Sequence, residues 1–184
     1  MKKTIIASIV GGILLFAWQF LSWPILNLHK AANRYTPNQD AILAALNANL
    51  PEEGGYMLPG LPENATSAEH EKLMEETNGK PQANIQYHKS TEASAGAMIK
   101  NMVRGLLIDI ITVWLFCWIL ARINAANFRI IFIASLLTGF IVFFNSAYSV
   151  SIWYKWFDIM AYFTDAIVSW GVCGLWLGWW LPRK

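Results

Sequence analysis

Four polar side chains inside long apolar runs have the strongest potential for chemistry in this sequence. Arg104 and Asp109 fall in one run, Asn145 in a second and Asp165 in a third. Charged and amide side chains are costly inside a bilayer, so they are kept there for a function or because they pair with one another. A carboxylate in such a place can carry a proton or a cation.

No catalytic motif accompanies these residues. The chain has no P-loop, no G-x-G-x-x-G and no Ser-His-Asp order. His29, His70 and His88 lack the spacing of a zinc site, and we expect them to be solvated. Cys117 and Cys173 do not form a C-x-x-C pair, and we expect them to pack as small apolar residues. We therefore expect no metal, no cofactor, no enzymatic activity and no binding of nucleic acid.

Four nearly uncharged stretches must position these side chains. The chain is 55% hydrophobic and contains 10 Trp among 184 residues. Each stretch is long enough, at about 1.5 Å per residue, to cross roughly 30 Å of hydrocarbon as a helix. We predict spans over roughly residues 4–28, 100–122, 128–149 and 157–181. The predicted fold class is an all-α membrane protein, a four-transmembrane-helix bundle.

Basic residues collect on one side of these spans and predict the orientation. They are Lys2, Lys3, Arg122, Arg129, Arg183 and Lys184. Lys and Arg beside a span resist translocation, so we expect both termini in the cytoplasm of a bacterium and residues 29–99 in the periplasm. The domain organisation is then a signal-anchor helix at 1–28, a periplasmic loop domain at 29–99, and helices two to four at 100–182.

Depth measured from these basic residues brings the four polar side chains together. At about 1.5 Å per residue, Asp109 lies roughly 20 Å from the cytoplasmic side and the other three lie roughly 24 to 27 Å from it. One interpretation is a polar pocket open to the outside. The other, which we favour, is an interhelical network in which Arg104 pairs with Asp165 and Asn145 bridges to Asp109.

Residues 29–99 predict a small α+β or helical extracytoplasmic cap inserted between helices one and two. Thr36 and Gln39 have the spacing of a capping box, as do Thr66 and Glu69, so each pair predicts a helix start. Alternation over residues 83–87 predicts a strand. The segment has few apolar residues for its size, so we expect it to rest on the membrane or on a partner.

Two further patterns concern packing. Gly171, Gly174 and Gly178 form a ridge of small residues on the last span, which allows close approach of another helix. We expect that helix to belong to the same chain, with a homodimer or a partner subunit as the alternative. Aromatic residues at the span ends predict interfacial anchors, namely Trp153, Tyr154, Trp156, Trp176, Trp179 and Trp180.

The start of the chain through Tyr56-Met57-Leu58-Pro59, with residues 152–154 and 174–180, resembles a family of small four-span inner-membrane proteins of Gram-negative bacteria. The resemblance runs over the full length. Because that family has no assigned activity, the resemblance implies a topology and no mechanism.

Three functions follow as hypotheses. The leading one is a non-enzymatic accessory or scaffold subunit that engages an envelope partner through its outer cap. The first alternative is a small proton- or cation-coupled transporter that uses Asp109 and Asp165. The second alternative is an enzyme that acts on a lipid or quinone at the outer interface, where the aromatic residues would meet head groups.

Overall fold

The computed structural model describes residues 2–123 and 127–182 and separates them into two compact units. One unit is Tyr35–Glu92, and the rest of the described chain forms the other. Residues 124–126, between the second and third predicted spans, and the basic pair Arg183 and Lys184 lie outside the described residues.

The larger unit consists of helices. They are α1 (Lys2–Phe20) with a π-helical extension Leu21–Ile25, α4 (Ala95–Leu120), α5 (Phe128–Phe143) with a π-helical extension Phe144–Tyr148 and then α6 (Ser149–Trp153), and α7 (Ile159–Trp180). Four continuous segments are long and apolar enough to cross a bilayer, namely Lys2–Ile25, Ala95–Leu120, Phe128–Trp153 and Ile159–Trp180. The prediction of four apolar spans is therefore confirmed, and the chain is a multi-pass membrane protein.

The second span begins five residues before its predicted start at residue 100. Its first turn is capped by Ser94, whose Oγ accepts a hydrogen bond from the backbone N–H of Ala97 at 3.1 Å. A serine cap satisfies a backbone donor that would otherwise lack a partner, which allows the helix to start in the small polar segment that precedes the apolar run.

The core of the larger unit lies where α1 packs against α4 and α7, and where α5 packs against α7. Buried side chains along these contacts include Leu15, Val113, Ile131 and Leu177. The α1–α4 contact is close because α1 carries Gly12, where an added Cβ would lie 2.6 Å from the Cα of Ile110. Large apolar side chains cover much of the remaining helix surface, as expected where helices face lipid.

The smaller unit contains α2 (Gln39–Asn49), β1 (Gly54–Leu58), α3 (Ser67–Thr77) and β2 (Ala83–Tyr87). The two strands pair antiparallel, with Gly54 opposite Tyr87 and Leu58 opposite Ala83. The predicted strand at 83–87 is thus confirmed. The capping box predicted at Thr66 is confirmed as well, since the side chains and backbones of Thr66 and Glu69 bond reciprocally.

The capping box predicted at Thr36 is wrong. Helix α2 starts at Gln39, and Asn38 stands at the N-cap without a side-chain capping bond. The Oγ1 of Thr36 instead accepts from the backbone N–H of Asn38 at 3.3 Å, a local turn that competes with the cap.

Candidate functional site

The chain reverses direction directly after the first span. The helix widens into the π-helical extension Leu21–Ile25, which contains Pro24. Asn27 then adopts a φ of 50°, a left-handed conformation that Asn tolerates better than most residues. The backbone N–H of Leu28 donates back to the carbonyl of Ser22 at 3.0 Å. This turn places His29 against the end of the first span.

His29 lies buried between two carboxylates, with 1% of its surface exposed. Its Nδ1 is 2.7 Å from Oδ2 of Asp158, and its Nε2 is 2.9 Å from Oδ2 of Asp165. The Trp23 ring stacks on the imidazole at 3.9 Å between centroids, and Tyr162 meets it edge-on at 4.7 Å. The expectation that His29 is solvated is therefore wrong, because the reversal at Asn27 returns it to the bundle.

The two contacts of the imidazole set how many protons the cluster needs. A neutral imidazole has one N–H donor and one acceptor nitrogen, whereas an ionised carboxylate only accepts. With a carboxylate oxygen at each nitrogen, both contacts are hydrogen bonds only if the cluster of His29, Asp158 and Asp165 holds a second proton. An imidazolium between two carboxylates satisfies this condition, as does a neutral imidazole beside one protonated carboxyl, and in either form the cluster carries one net negative charge.

Asp165 is the most heavily bonded carboxylate of the larger unit's described residues. Its Oδ1 accepts from Nε1 of Trp18 at 2.9 Å and from Oγ of Ser22 at 2.6 Å, while Oδ2 faces His29. All three partners come from the first span and the turn behind it. Asp165 therefore ties the end of that span to α7.

Asp109 has a different environment. Its Oδ1 accepts a hydrogen bond from Nε2 of Gln19 at 3.2 Å. Its Oδ2 is buried and has no hydrogen-bond partner among the described residues. The residue as a whole is 9% exposed. An unpartnered carboxylate oxygen in a low-dielectric interior is unfavourable, so it favours the binding of a proton, water or cation.

Both carboxylates line one cavity of about 370 Å³ inside the larger unit. The polar side chains on its walls are Gln19, Asp109, Thr112, Ser146, Asp165 and Ser169. The aromatic ones are Trp18, Trp23, Phe143, Tyr162 and Trp170. Each of the four spans contributes, and the third does so partly through its π-helical extension. Such π-helical turns occur frequently at functional sites.

The four polar residues singled out in the sequence do not form one network. Asp165 pairs with His29 rather than with Arg104. Arg104 shares a separate open pocket with Asp109 and Gln19, and it makes no ion pair with any residue that the structure describes. Asn145 is exposed on the third span's π-helical extension. Only Asp109 and Asp165 share the cavity.

Sequence reasoning missed the partners of both carboxylates. The end of the first span carries three residues with polar groups, Trp18, Gln19 and Ser22, and their spacing is the signal that could have identified them. They recur at spacings of one, three and four residues, which places them on one side of a helix. Asp158 follows the third span, and its role depends on where His29 lies in space.

The glycine ridge of the last span faces α5. A Cβ at Gly174 would lie 2.7 Å from the Cβ of Ser135, and one at Gly178 would lie 2.9 Å from the ring of Phe128. Gly171 is less crowded, since Leu136 is the nearest neighbour at 3.6 Å. Two glycines of the ridge therefore permit the approach of a helix from the same chain.

The aromatic residues at the span ends divide into two groups. Trp153, Tyr154 and Trp179 are exposed, as interfacial side chains are. Trp176 and Trp180 instead donate their Nε1–H to backbone carbonyls of the first span at 3.2 and 3.1 Å. Trp156 is half-buried and packs on Tyr162, near the His29 cluster.

No group of three or more metal-ligating side chains occurs within residues 2–123 and 127–182. Comparison of the chain with protein-family models, with curated proteins and with solved structures finds no match. The chemistry of the cavity therefore has to be argued from its own residues.

Proposed function

We propose that this protein is a small cation carrier of the bacterial cytoplasmic membrane and that Asp109 is its cation-binding group. One observation carries the proposal. The Oδ2 of Asp109 has no partner in the described chain, and the Asp109 side chain lines a cavity of about 370 Å³ whose walls are residues of the membrane-spanning helices. A proton or cation bound there would supply the missing interaction.

Asp165 has a supporting role in this proposal. Its two oxygens already accept from Trp18, Ser22 and His29, so it has less capacity left for a ligand than Asp109 has. It contributes negative potential to the cavity and fixes the first span against the last. The transport hypothesis from the sequence gave both carboxylates the same role, and the geometry favours separate ones.

The two π-helical extensions give the bundle places where it can change shape. They interrupt the first and third spans at residues 21–25 and 144–148, beside the cavity. A π-helical turn disturbs regular i to i+4 bonding, and transporters use broken helices at their binding sites. Rearrangement at these turns would open the cavity to one side and then the other.

The membrane and the orientation are also part of the proposal. The six basic residues favour a topology with both termini in the cytoplasm and residues 29–99 in the periplasm. Asp109 and Asp165 then lie nearer the periplasmic side. Glu71→Cys, on an exposed helix position, should react with a membrane-impermeant maleimide in intact spheroplasts, whereas Lys3→Cys should react only after lysis. The reverse labelling pattern would show that residues 29–99 lie in the cytoplasm.

Flux measurement tests the carrier. The purified chain is reconstituted into liposomes, and proton and monovalent-cation fluxes are followed with pH- and ion-sensitive dyes. Asp109→Asn should abolish the flux because it removes the charge and retains the size, while Asp40→Asn in the smaller unit should leave it unchanged. A wild-type chain without flux, or an Asp109→Asn variant that carries cations normally, would contradict the proposal.

A second candidate is the accessory subunit that engages a partner through residues 29–99. It is favoured by the exposure of apolar side chains in the smaller unit, including Leu43 at 58% and Met74 at 68%. Neither α2 nor α3 has a buried residue. Affinity purification in mild detergent tests this role. A stoichiometric envelope protein that is lost on Leu43→Ser with Met74→Ser would support it, and recovery of the chain alone would contradict it.

A further inference from the structure

The cavity beside Asp109 combines a carboxylate with aromatic walls. Trp18, Trp23, Tyr162 and Trp170 line it together with Asp109. The faces of such rings attract cations, and quaternary ammonium ions are bound in proteins by aromatic side chains of this kind. We propose that the cavity binds an organic ammonium ion, with Asp109 as its counter-ion. The inference rests on the proposed function and names the class of cation that is carried.

Among the residues of the cavity wall and the His29 cluster, the charge balance favours a positive charge in the ligand; Arg104 is the basic residue of the neighbouring open pocket that Asp109 also lines. With the second proton that its two hydrogen bonds require, the cluster of His29, Asp158 and Asp165 keeps one negative charge, and Trp18 and Ser22 donate to Asp165 as well. Asp109 accepts a hydrogen bond only from the neutral amide of Gln19. An anionic ligand would be repelled, and a neutral one would leave the negative charge of Asp109 unbalanced.

The size of the cavity separates an organic cation from an inorganic one. A volume of 370 Å³ would hold about twelve waters at roughly 30 Å³ each, and it falls in the range of small-molecule sites. Hard metal ions require about six oxygen ligands at short distance. The walls carry five aromatic side chains beside six non-aromatic side chains that bear oxygen, and the rings suit a cation whose charge is surrounded by carbon.

Trp170 is the wall residue whose contacts are simplest to interpret. It is buried, and its ring meets Phe116 edge-on at 5.4 Å between centroids. No contact between Trp170 and His29, Asp158 or Asp165 occurs in the described hydrogen bonds and ring pairs. Replacing it therefore removes an aromatic wall while the His29 cluster is retained.

Calorimetric titration of the full chain in dodecyl maltoside tests the inference, with benzyltrimethylammonium as the probe and N,N-dimethylbenzamide as a neutral compound of similar size. We expect no binding of N,N-dimethylbenzamide and saturable binding of benzyltrimethylammonium. Asp109→Asn should weaken it at least tenfold, and Trp170→Leu several-fold, with Trp170→Phe close to wild type. Equal binding of the neutral compound, or unchanged affinity in Asp109→Asn, would overturn the inference.

Trp170→Leu can be lost to misfolding because the residue is buried. Trp23→Leu provides a second test, since Trp23 lines the same cavity and is 42% exposed. It should also weaken benzyltrimethylammonium several-fold. Full affinity in whichever of the Trp23→Leu and Trp170→Leu variants folds would overturn the aromatic part of the site.

Two results distinguish failure of this inference from failure of the carrier. Asp109-dependent flux of protons or inorganic cations without binding of benzyltrimethylammonium would overturn the ligand class and leave the carrier standing. Asp109-dependent binding without flux of any cation would support the ligand class and overturn the carrier. Uptake of benzyltrimethylammonium into liposomes that is lost in Asp109→Asn would support both.

Discussion

The Nδ1 of His29 lies 2.7 Å from Oδ2 of Asp158, although 129 positions separate the two residues in the chain. Asp158 stands at the N-cap of α7 but makes no side-chain capping bond there, because its carboxylate faces the imidazole. The contact joins the turn after the first span to the start of the fourth. Together with Asp165, it fixes the relative position of the first and fourth spans, two of the four that line the cavity.

His29→Ala should destabilise the chain strongly. The change leaves Asp158 buried beside an empty position, and removing one partner of a buried ion pair costs about 3–5 kcal/mol. Thermal unfolding in mild detergent, followed by circular dichroism, measures the loss. His70→Ala is the matched control, because His70 is exposed and should change stability by less than about 0.5 kcal/mol. Equal stability of the two variants would show that the cluster is not important for folding.

Asp165→Asn and Asp109→Asn should differ in what they damage. At Asp165 an amide –NH₂ would face donors in place of one acceptor oxygen, so we expect a loss of about 2–4 kcal/mol, from hydrogen bonds to a charged group worth about 1.5–3 kcal/mol each. At Asp109 only the bond from Gln19 is present, and stability should change by less than about 1 kcal/mol.

The comparison is made by thermal unfolding and cation flux on the same preparations. Asp109→Asn should fold normally and carry no cations, whereas Asp165→Asn should unfold at a clearly lower temperature. The division of roles would be refuted by an Asp109→Asn variant as unstable as Asp165→Asn, since both carboxylates would then act in folding.

The spans could be predicted from the sequence because hydrophobic length and the scarcity of charge are local properties. Asp109 and Asp165 could be found for the same reason, since a carboxylate in an apolar run is conspicuous. Their partners could not, because His29 reaches Asp165 only through the left-handed turn at Asn27. That turn depends on backbone geometry at one residue, which the hydrophobic pattern does not encode.

Helix α3 provides a pH-dependent prediction. Hydrogen bonds from the backbone and then from the side chain of Thr66 lower the pKa of Glu69 below its ordinary value. Because the folded pKa is the lower one, the stabilisation is present above the unfolded pKa and is lost as the pH falls through the folded pKa. The start of α3 should therefore fray in acid.

Nuclear magnetic resonance titration of the Glu69 carboxyl in the full chain measures this effect. Thr66→Ala removes the hydroxyl and should raise the pKa of Glu69 toward its ordinary value. Thr77→Ala is the control, because Thr77 bonds to Leu73 at the other end of the same helix. A pKa of Glu69 that does not respond to Thr66→Ala would contradict the contribution assigned to the Thr66 hydroxyl.

Two glycines of the last span should respond in opposite directions to alanine. At Gly174 the new Cβ would lie 2.7 Å from the Cβ of Ser135, which is fully buried and held by a hydrogen bond to the carbonyl of Ile131. Because Ser135 has no free space to move into, we expect Gly174→Ala to lose about 1–3 kcal/mol through overpacking. At Gly171 the nearest atom is 3.6 Å away, so alanine should stabilise the helix by up to about 0.5–1 kcal/mol. Thermal unfolding of both variants in the same detergent measures the two changes in stability. A Gly174→Ala variant as stable as Gly171→Ala would mean that α5 and α7 do not pack through Gly174.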